Sequence, residues 1–294
     1  MTLFLRSCTV IAAALISGHV LADENNAIYQ SIQVGITQQS QLFEFSDDNN
    51  SDTRLNVWGN SVQYQIGKGP WNLIADYHQA DARNTSNQQR YELDFQTQSV
   101  GLFVEYYLEN TWLALGYSGS EDTTDYNLNK YNQITYQSFI IESGYIHYTQ
   151  SGQLAATWGV TRQYVEEDTE FNNNGQPTTL QIDEDGILTS LTISYGHFFP
   201  LSDALKVAIN AGVRREITLS GDGRIQQSTR QGGPGSTQTS TSEELQSTSQ
   251  SASTSQQAQV SLQHLKGSIS LSVDKLTDQS FTDSYFSASL RFNF

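Results

Sequence analysis

The sequence predicts an all-β fold, a transmembrane antiparallel up-and-down barrel of about twelve strands, and three observations predict it. Apolar and polar residues alternate with a period of two over many segments. The pattern is cleanest at the chain's end, where Phe286, Ala288, Leu290, Phe292 and Phe294 share one face and Ser287, Ser289, Arg291 and Asn293 the other. Composition suits a large sheet: of 294 residues only four are proline, against 15 tyrosines, 13 phenylalanines and four tryptophans. Finally, no stretch after residue 22 approaches a run of apolar residues long enough for a membrane helix, and mean hydropathy is negative. A barrel strand escapes that exclusion, because it shows lipid only every second residue.

The amino-terminal segment reads as an address. Arg6 precedes an apolar run from Val10 to Ile16, and Val20-Leu21-Ala22 stands before Asp23, the pattern of a secretory signal cleaved after Ala22. Residues 1–22 are therefore expected to be a signal peptide and 23–294 the barrel domain. The one cysteine, Cys8, lies inside the signal, so no disulfide is expected in the mature chain.

Six hairpins follow. In the first, Ile28, Ile32, Val34 and Ile36 ascend and Val62, Tyr64 and Ile66 descend, around a tip at Asp47-Asp48-Asn49-Asn50. The turn Gly67-Lys68-Gly69-Pro70 leads into Trp71, Leu73, Ala75 and Tyr77. The return runs through Tyr91, Leu93 and Phe95, then through Val100, Leu102, Val104 and Tyr106 on the other parity. That change of phase near Gln98 predicts either a bulge or a change at the membrane boundary. Leu108-Glu109-Asn110 turns into the third hairpin, Trp112 to Tyr117 and back through Tyr136 to Tyr148. The fourth climbs by Leu154, Ala156, Trp158 and Val160 and returns by Ile187, Leu191, Ile193 and Tyr195 to Phe199. The fifth opens with Leu205, Val207, Ile209, Ala211 and Val213, and its upper part, 226–256, is rich in Ser, Thr and Gln. Such composition predicts either a mobile loop or a hydrophilic ribbon with Gly232-Gly233-Pro234-Gly235 at its tip. The turn His264 to Gly267 then feeds Ile269, Leu271 and Val273, and the last strand closes the barrel.

Two further patterns distinguish the ends of these strands. Trp71, Trp112, Phe198, Phe199, Tyr107 and Tyr148 flank the short turns, where an interfacial aromatic girdle is expected. The opposite ends, 44–54, 81–94, 121–130, 162–185, 215–244 and 274–283, hold 24 of the 31 acidic residues and nine basic ones. One rim of the barrel is therefore acidic, and no nucleic acid is expected there.

The signal segment, the alternating hairpins and the aromatic carboxy terminus together resemble Gram-negative outer-membrane β-barrel proteins. The resemblance implies residence in the cell outer membrane, contact with its lipid and lipopolysaccharide, and a monomer. It also implies that the barrel-assembly machinery reads the last strand, through Phe286, Leu290, Phe292 and Phe294. Autotransporter translocator barrels are similar in strand number and ending, but the expected barrel begins within a few residues of Asp23, which leaves no passenger.

Function is less constrained. By alternation Asp76, His78, Glu105, Glu142, Lys206, Arg214 and Arg291 face the lumen. They either line a narrow wet pore or pair across it as a structural network, and inward Gly101, Gly116, Gly159, Gly196 and Gly212 leave room for either. Glu166, Glu167, Asp168 and Glu170 oppose Asp183, Glu184 and Asp185 across the fourth hairpin, carboxylates that suit loosely bound Ca²⁺ or Mg²⁺. No other cofactor is expected. Asp76-Tyr77-His78, with Asp47 and Asp48, resembles the acid and histidine set of omptin outer-membrane proteases, a remote alternative. No nucleophile elbow is present, since Gly116-Tyr117-Ser118-Gly119-Ser120 fails at its fifth position. The leading expectation is a narrow porin-like channel for small cationic or neutral solutes. Its competitor is a closed surface scaffold that acts in adhesion or envelope interaction through its extracellular loops.

Overall fold

The structure, a computed structural model, describes residues 28–43, 53–84, 93–126, 130–173, 176–233, 236–247, 252–277 and 284–294. The expected signal segment and the tip at Asp47-Asp48 lie outside these residues. Every described element is a strand or a turn: β1 (Ile28–Phe43), β2 (Thr53–Lys68), β3 (Trp71–Asn84), β4 (Leu93–Leu108), β5 (Thr111–Tyr126), β6 (Lys130–Tyr148) and β7 (Gly152–Asn173), followed by β8 (Gln176–Ser202), β9 (Leu205–Gly233), β10 (Ser236–Ser247), β11 (Ala252–His264), β12 (Gly267–Leu276) and β13 (Tyr285–Asn293).

Each strand pairs antiparallel with its sequence neighbours, and β1 closes the sheet on β13 through registers such as Val34 with Leu290. This is a closed twelve-strand barrel with β10 as an extra strand. The short turns are tight. Gly69 takes φ +57°, a left-handed conformation that costs glycine little, so Lys68 can pair with Trp71 across a two-residue loop.

Faces follow the pleat. Leu102, Leu115, Ile141, Ile193 and Leu271 all stand about half exposed on the outer wall. A continuous belt of this kind is the surface a barrel presents to lipid. Trp71 stacks on Tyr106 at 4.7 Å beside the short turns, and Phe199 is also outward. The expected girdle is corrected at four positions: Trp112 is only 3 % exposed, Tyr107 bonds inside the wall, Phe198 pairs with buried Ala208 on the inner face beneath Lys206, and Tyr148 takes the inward parity opposite buried Gln153. Leu113 is the outward residue of its pair, and the alternation therefore turns Trp112 into the lumen.

Of the two readings of the phase change in β4, the register excludes the bulge. The pairings of β4 with β3 and β5 run without a break from Leu93 to Tyr106, so there is no bulge near Gln98. Leu93 and Phe95 point inward, where they pack with Leu55, Val57, Ala80 and Ala82. The observed shifts lie instead between β8 and β9, one beside the turn between Pro200 and Ser202 and one higher up, where Ile187 pairs with Ser220 but Leu188 with Thr218. Leu219 is the extra residue, and beyond it β9 presents even-numbered residues outward.

Three strands overrun the barrel. At about 3.3 Å per residue, the 29 residues of β9 make roughly 95 Å of strand, far more than a hydrocarbon core of about 30 Å requires. Its lower half pairs with β11 and its upper half with β10, from Asp222–Ser247 to Gly233–Ser236. The Ser/Thr/Gln-rich segment is thus largely a paired ribbon, not a loop.

Candidate functional site: the barrel lumen

Near the short turns, side chains from five consecutive strands form a polar belt on the inner wall. Arg291 on β13 donates from Nε and Nη2 to Ser31 Oγ on β1, at 3.1 and 3.0 Å, and from Nη2 to Gln65 on β2. Glu105 Oε2 on β4 accepts from Asn72 Nδ2 at 2.6 Å and from the Tyr107 hydroxyl at 2.8 Å. Tyr29, paired with Gly67, lays its ring across that glycine at the same level. Lys206 sits at the same end, its Nζ 4.6 Å from the centre of the Phe198 ring.

Higher up, Arg214 on β9 pairs with Glu216 at 3.1 Å. Glu142 on β6 and Asp274 on β12 lie within its electrostatic reach, and Asp274 also accepts from Gln257 at 2.9 Å. On β3, His78 Nε2 meets Thr37 Oγ1 at 3.1 Å, and Asp76 lies against Gly101. Thus the seven lumen candidates named from the sequence, Asp76, His78, Glu105, Glu142, Lys206, Arg214 and Arg291, all face inward, in separate groups rather than one constellation. Asp47 and Asp48, the further acids of the protease reading, lie outside the described residues.

The inward glycines have a specific use. A side chain from a neighbouring strand lies over five of them, Phe103 over Gly116, Trp112 over Gly144, Asp76 over Gly101, Glu142 and Ser190 over Gly159, and Asn210 over Gly196, whereas Gly212 meets Ser194 Cβ and the Ile193 carbonyl. A Cβ at any of these positions would meet the covering group. Large side chains are thereby laid along the wall rather than across the bore.

The inner wall is two-sided. From β2 to β6 it is largely dry, with Ile74, Phe103 and Ile140 in one buried cluster and Trp112, Ala114 and Ile146 in another. From β11 to β13 it is lined by Gln257, Gln259, Ser270, Ser272, Ser287 and Ser289, which keep partial contact with water. On the dry side Asp122 is buried beside Thr97, and burial pushes its carboxyl up to about 6. Its neighbour Glu121 is exposed on the outer face, and a carboxylate there sets this level beyond the lipid.

The acidic candidates of the fourth hairpin divide between two faces. Glu166, Asp168, Glu170, Asp183 and Asp185 point out from the extended sheet, while Glu167 and Glu184 point in. Arg162 bonds Asp185 at 2.8 Å and holds its carboxyl below the usual range. Glu167 accepts from Asn132 at 3.1 Å, and burial with the neighbouring Glu167 charge raises the carboxyl of Glu184. Among the described residues no three His, Cys, Asp or Glu converge closely enough to hold a metal ion.

The last strand turns Leu290, Phe292 and Phe294 to the outer wall, with Phe286 on the same parity, and the Phe294 amide donates to Gln30 O at 2.9 Å.

Comparison with known proteins gives a fold but no family. No protein-family model matches the chain, and no curated protein matches it in sequence. Solved structures do. The translocator domain of the autotransporter NalP from Neisseria meningitidis aligns with a TM-score of 0.57 at 10% identity, covering 93% of this chain and 90% of that one. The β-domain of the Bordetella autotransporter BrkA aligns at 0.54 and 10% identity, covering 90% and 98%. An outer-membrane channel from Pseudomonas putida F1 aligns at 0.47 and 9% identity, covering 92% and 98%. The fold is that of an outer-membrane β-barrel. At such identities the likeness extends to the barrel's architecture and stops short of its activity.

Several contributors to the lumen escape a reading of the sequence. Asn72, Gln65, Tyr29 and Ser31 carry no motif, and only the register that sets Asn72 opposite Glu105 and Gln65 opposite Ser31 brings them together. The signal available was their parity, opposite to that of Trp71, Leu73, Tyr64 and Ile66.

Proposed function

We propose that this barrel sits in the Gram-negative outer membrane and acts as a narrow, porin-like channel for small cationic or neutral solutes. The observation that carries the reading is the set of glycine seats: Phe103, Trp112, Glu142 and Asn210 each occupy the space over a glycine that a Cβ would fill, which keeps these side chains close to the wall and favours a conduit over a filled barrel. The dry clusters on the β2 to β6 side narrow the bore and leave the Ser- and Gln-lined side as the wet path. Charge favours cations. Inward Asp76, Glu105, Asp122, Glu142, Glu167 and Glu184 outnumber inward Lys206, Arg214 and Arg291, and an acidic rim concentrates cations at the mouth. In this reading residues 1–22 are removed on export, the chain is a monomer among lipid and lipopolysaccharide, and the barrel-assembly machinery reads Phe286, Leu290, Phe292 and Phe294. Osmotic swelling of proteoliposomes tests it. Rapid entry of small neutral solutes and ammonium salts is expected; swelling no faster than empty liposomes would refute it.

A second reading has one specific observation behind it, the β9–β10 ribbon projecting beyond the barrel. A closed scaffold that displays this ribbon would support cell adhesion. Its test is loss of adhesion when the ribbon is shortened, with no solute flux in either form.

A further inference from the structure

On the rim opposite the short turns the sheet ends in an open edge. β8 covers one side of upper β9, from Gly186 with Gly221 to Thr178 with Thr229, and β10 covers the other, from Ser247 with Asp222 to Ser236 with Gly233. β10 has no second partner among the described strands. The backbone N–H and C=O groups of its alternate residues therefore point away from β9 along a strand of 12 residues. With β7 and β8 behind β9, this edge belongs to a sheet of several strands and not to an isolated hairpin, so its extended shape is already set.

Nothing in β10 blunts that edge. Protected edges carry Lys, Pro or a bulge, whereas Ser236–Ser247 contains no Lys, Arg, Pro or Gly and pairs with β9 in unbroken register. Thr241 to Leu245 are exposed, Leu245 by 80 %. Of the strand's two carboxylates, Glu243 is already answered within the ribbon by Arg224 at 2.8 Å. Asp222 and Arg224 pair with outward Asp185 and Asp183 at the foot of β10, and charges on the outer face there set the whole strand beyond the lipid.

We propose that this edge pairs antiparallel with the same edge of a second copy standing in an apposed outer membrane, and so joins two cells. Symmetry and charge select this occupant. A two-fold axis through an antiparallel pair sets one residue opposite itself, and the overlap is greatest when that residue is Thr241, covering 236–246, or Ser242, covering 237–247. In the first, Glu243 and Glu244 meet Thr239 and Gln238 of the second copy; in the second, they meet Thr241 and Ser240. No two carboxylates face each other, whereas parallel in-register pairing sets each beside its own copy. Direction then fixes the second copy's place. β10 runs from the ribbon's tip toward its own membrane, so copies in one membrane present it in the same sense, and a copy facing them from another membrane presents it reversed. Within one membrane the chain stays a monomer. One such pair is weak, and many acting together hold two surfaces. The ribbon lies outside the bore, so the inference is independent of conduction.

Thiol cross-linking of the refolded protein in detergent tests the pairing, because copies there tumble freely and a covalent bond captures a weak contact. The chain from residue 23 onward has no cysteine, so single variants report single positions. Thr241→Cys or Ser242→Cys, whichever stands at the two-fold, should form a disulfide-linked dimer roughly tenfold or more faster than Asp168→Cys, since pairing raises the local thiol concentration far above that in bulk. Asp168 is exposed on the outer face of β7 and reports chance collision. Heat-dependent gel mobility confirms that each variant is folded. Cells carrying the full chain should sediment in clumps that exclude differently labelled cells lacking it, and excision of 226–243 should abolish the clumping. Cross-linking no faster than at Asp168, absence of clumping, clumping that survives the excision, or clumps that take up cells without the protein would each overturn the proposal. Potassium current through the same preparation reads the lumen alone, so the edge and the channel can each fail without the other.

Discussion

Substituting alanine for Gly116 should force the Phe103 ring off the wall. A Cβ built at Gly116 falls on the ring itself, with Cδ1 and Cε1 the nearest atoms, and the ring belongs to a buried cluster with Ile74 and Ile140. The methyl group and the ring cannot share the seat, so Phe103 must swing toward the bore. Overpacking of this kind costs about 1–3 kcal/mol, and a displaced phenyl group narrows the wet path. Single-channel conductance should fall, and the urea midpoint should drop by an amount in that range. Gly119→Ala is the control, since it faces outward and its nearest neighbour is the mobile Tyr117 hydroxyl at 3.3 Å. Phe103→Ala in the Gly116→Ala background should restore conductance, giving a coupling that only neighbours show. Equal conductance and stability in wild type and Gly116→Ala would refute the reasoning that glycine seats hold the bore open.

Other outcomes follow from the same structure. The Asp122 carboxyl, raised from an ordinary 3.8 to about 6 by burial, prefers its neutral form when folded. The barrel should therefore gain stability as pH falls from about 6 toward 4 and bear the cost of the buried charge above 6, about 3 kcal/mol at about 1.4 per decade. Asp122→Asn should be more stable than wild type at pH 7.5 and should flatten that pH dependence in urea titrations; a variant less stable at pH 7.5 would contradict this. Excising 226–243 at the paired positions Ile225 and Glu244, and joining them by an Asn-Gly turn, should leave heat-dependent mobility and current unchanged, because β9 below Leu219 is closed by β8 and β11. A deletion carried to 256 would cut β11, which begins at Ala252, and should destabilise the barrel. Phe292→Ala with Phe294→Ala should lower assembly into the membrane of cells while refolding in detergent proceeds, as expected if these residues are read as a signal.

Where apolar residues mark lipid and polar ones mark the lumen, the chain declares its faces. Val34, Leu102, Ile141 and Leu290 were legible in this way, and with them the twelve strands and the inward position of Glu105, Glu142 and Arg291. The rule fails where the lumen itself is apolar. Leu93 and Phe95 are out of phase with Val100, which leaves a bulge or a change at the membrane boundary as readings, because nothing local shows that Leu55, Val57 and Ala82 await them inside. Trp112 and Leu113 are adjacent apolar residues, and neither announces which is outward. The decisive fact, the seat at Gly144, lies on another strand. The same holds for every glycine seat and for the Asn72–Glu105 contact, which exist only in the cross-strand register. The true bulge at Leu219 was hidden because Ile217 and Leu219 continue the parity of Val213 through it.

The most direct test of a conducting lumen is the current through a single refolded barrel in a planar bilayer with a potassium chloride gradient. Discrete steps whose reversal potential favours cations, reduced in selectivity by Glu105→Gln, are the predicted result. A folded barrel that inserts and carries no current, or steps that favour chloride, would contradict the account.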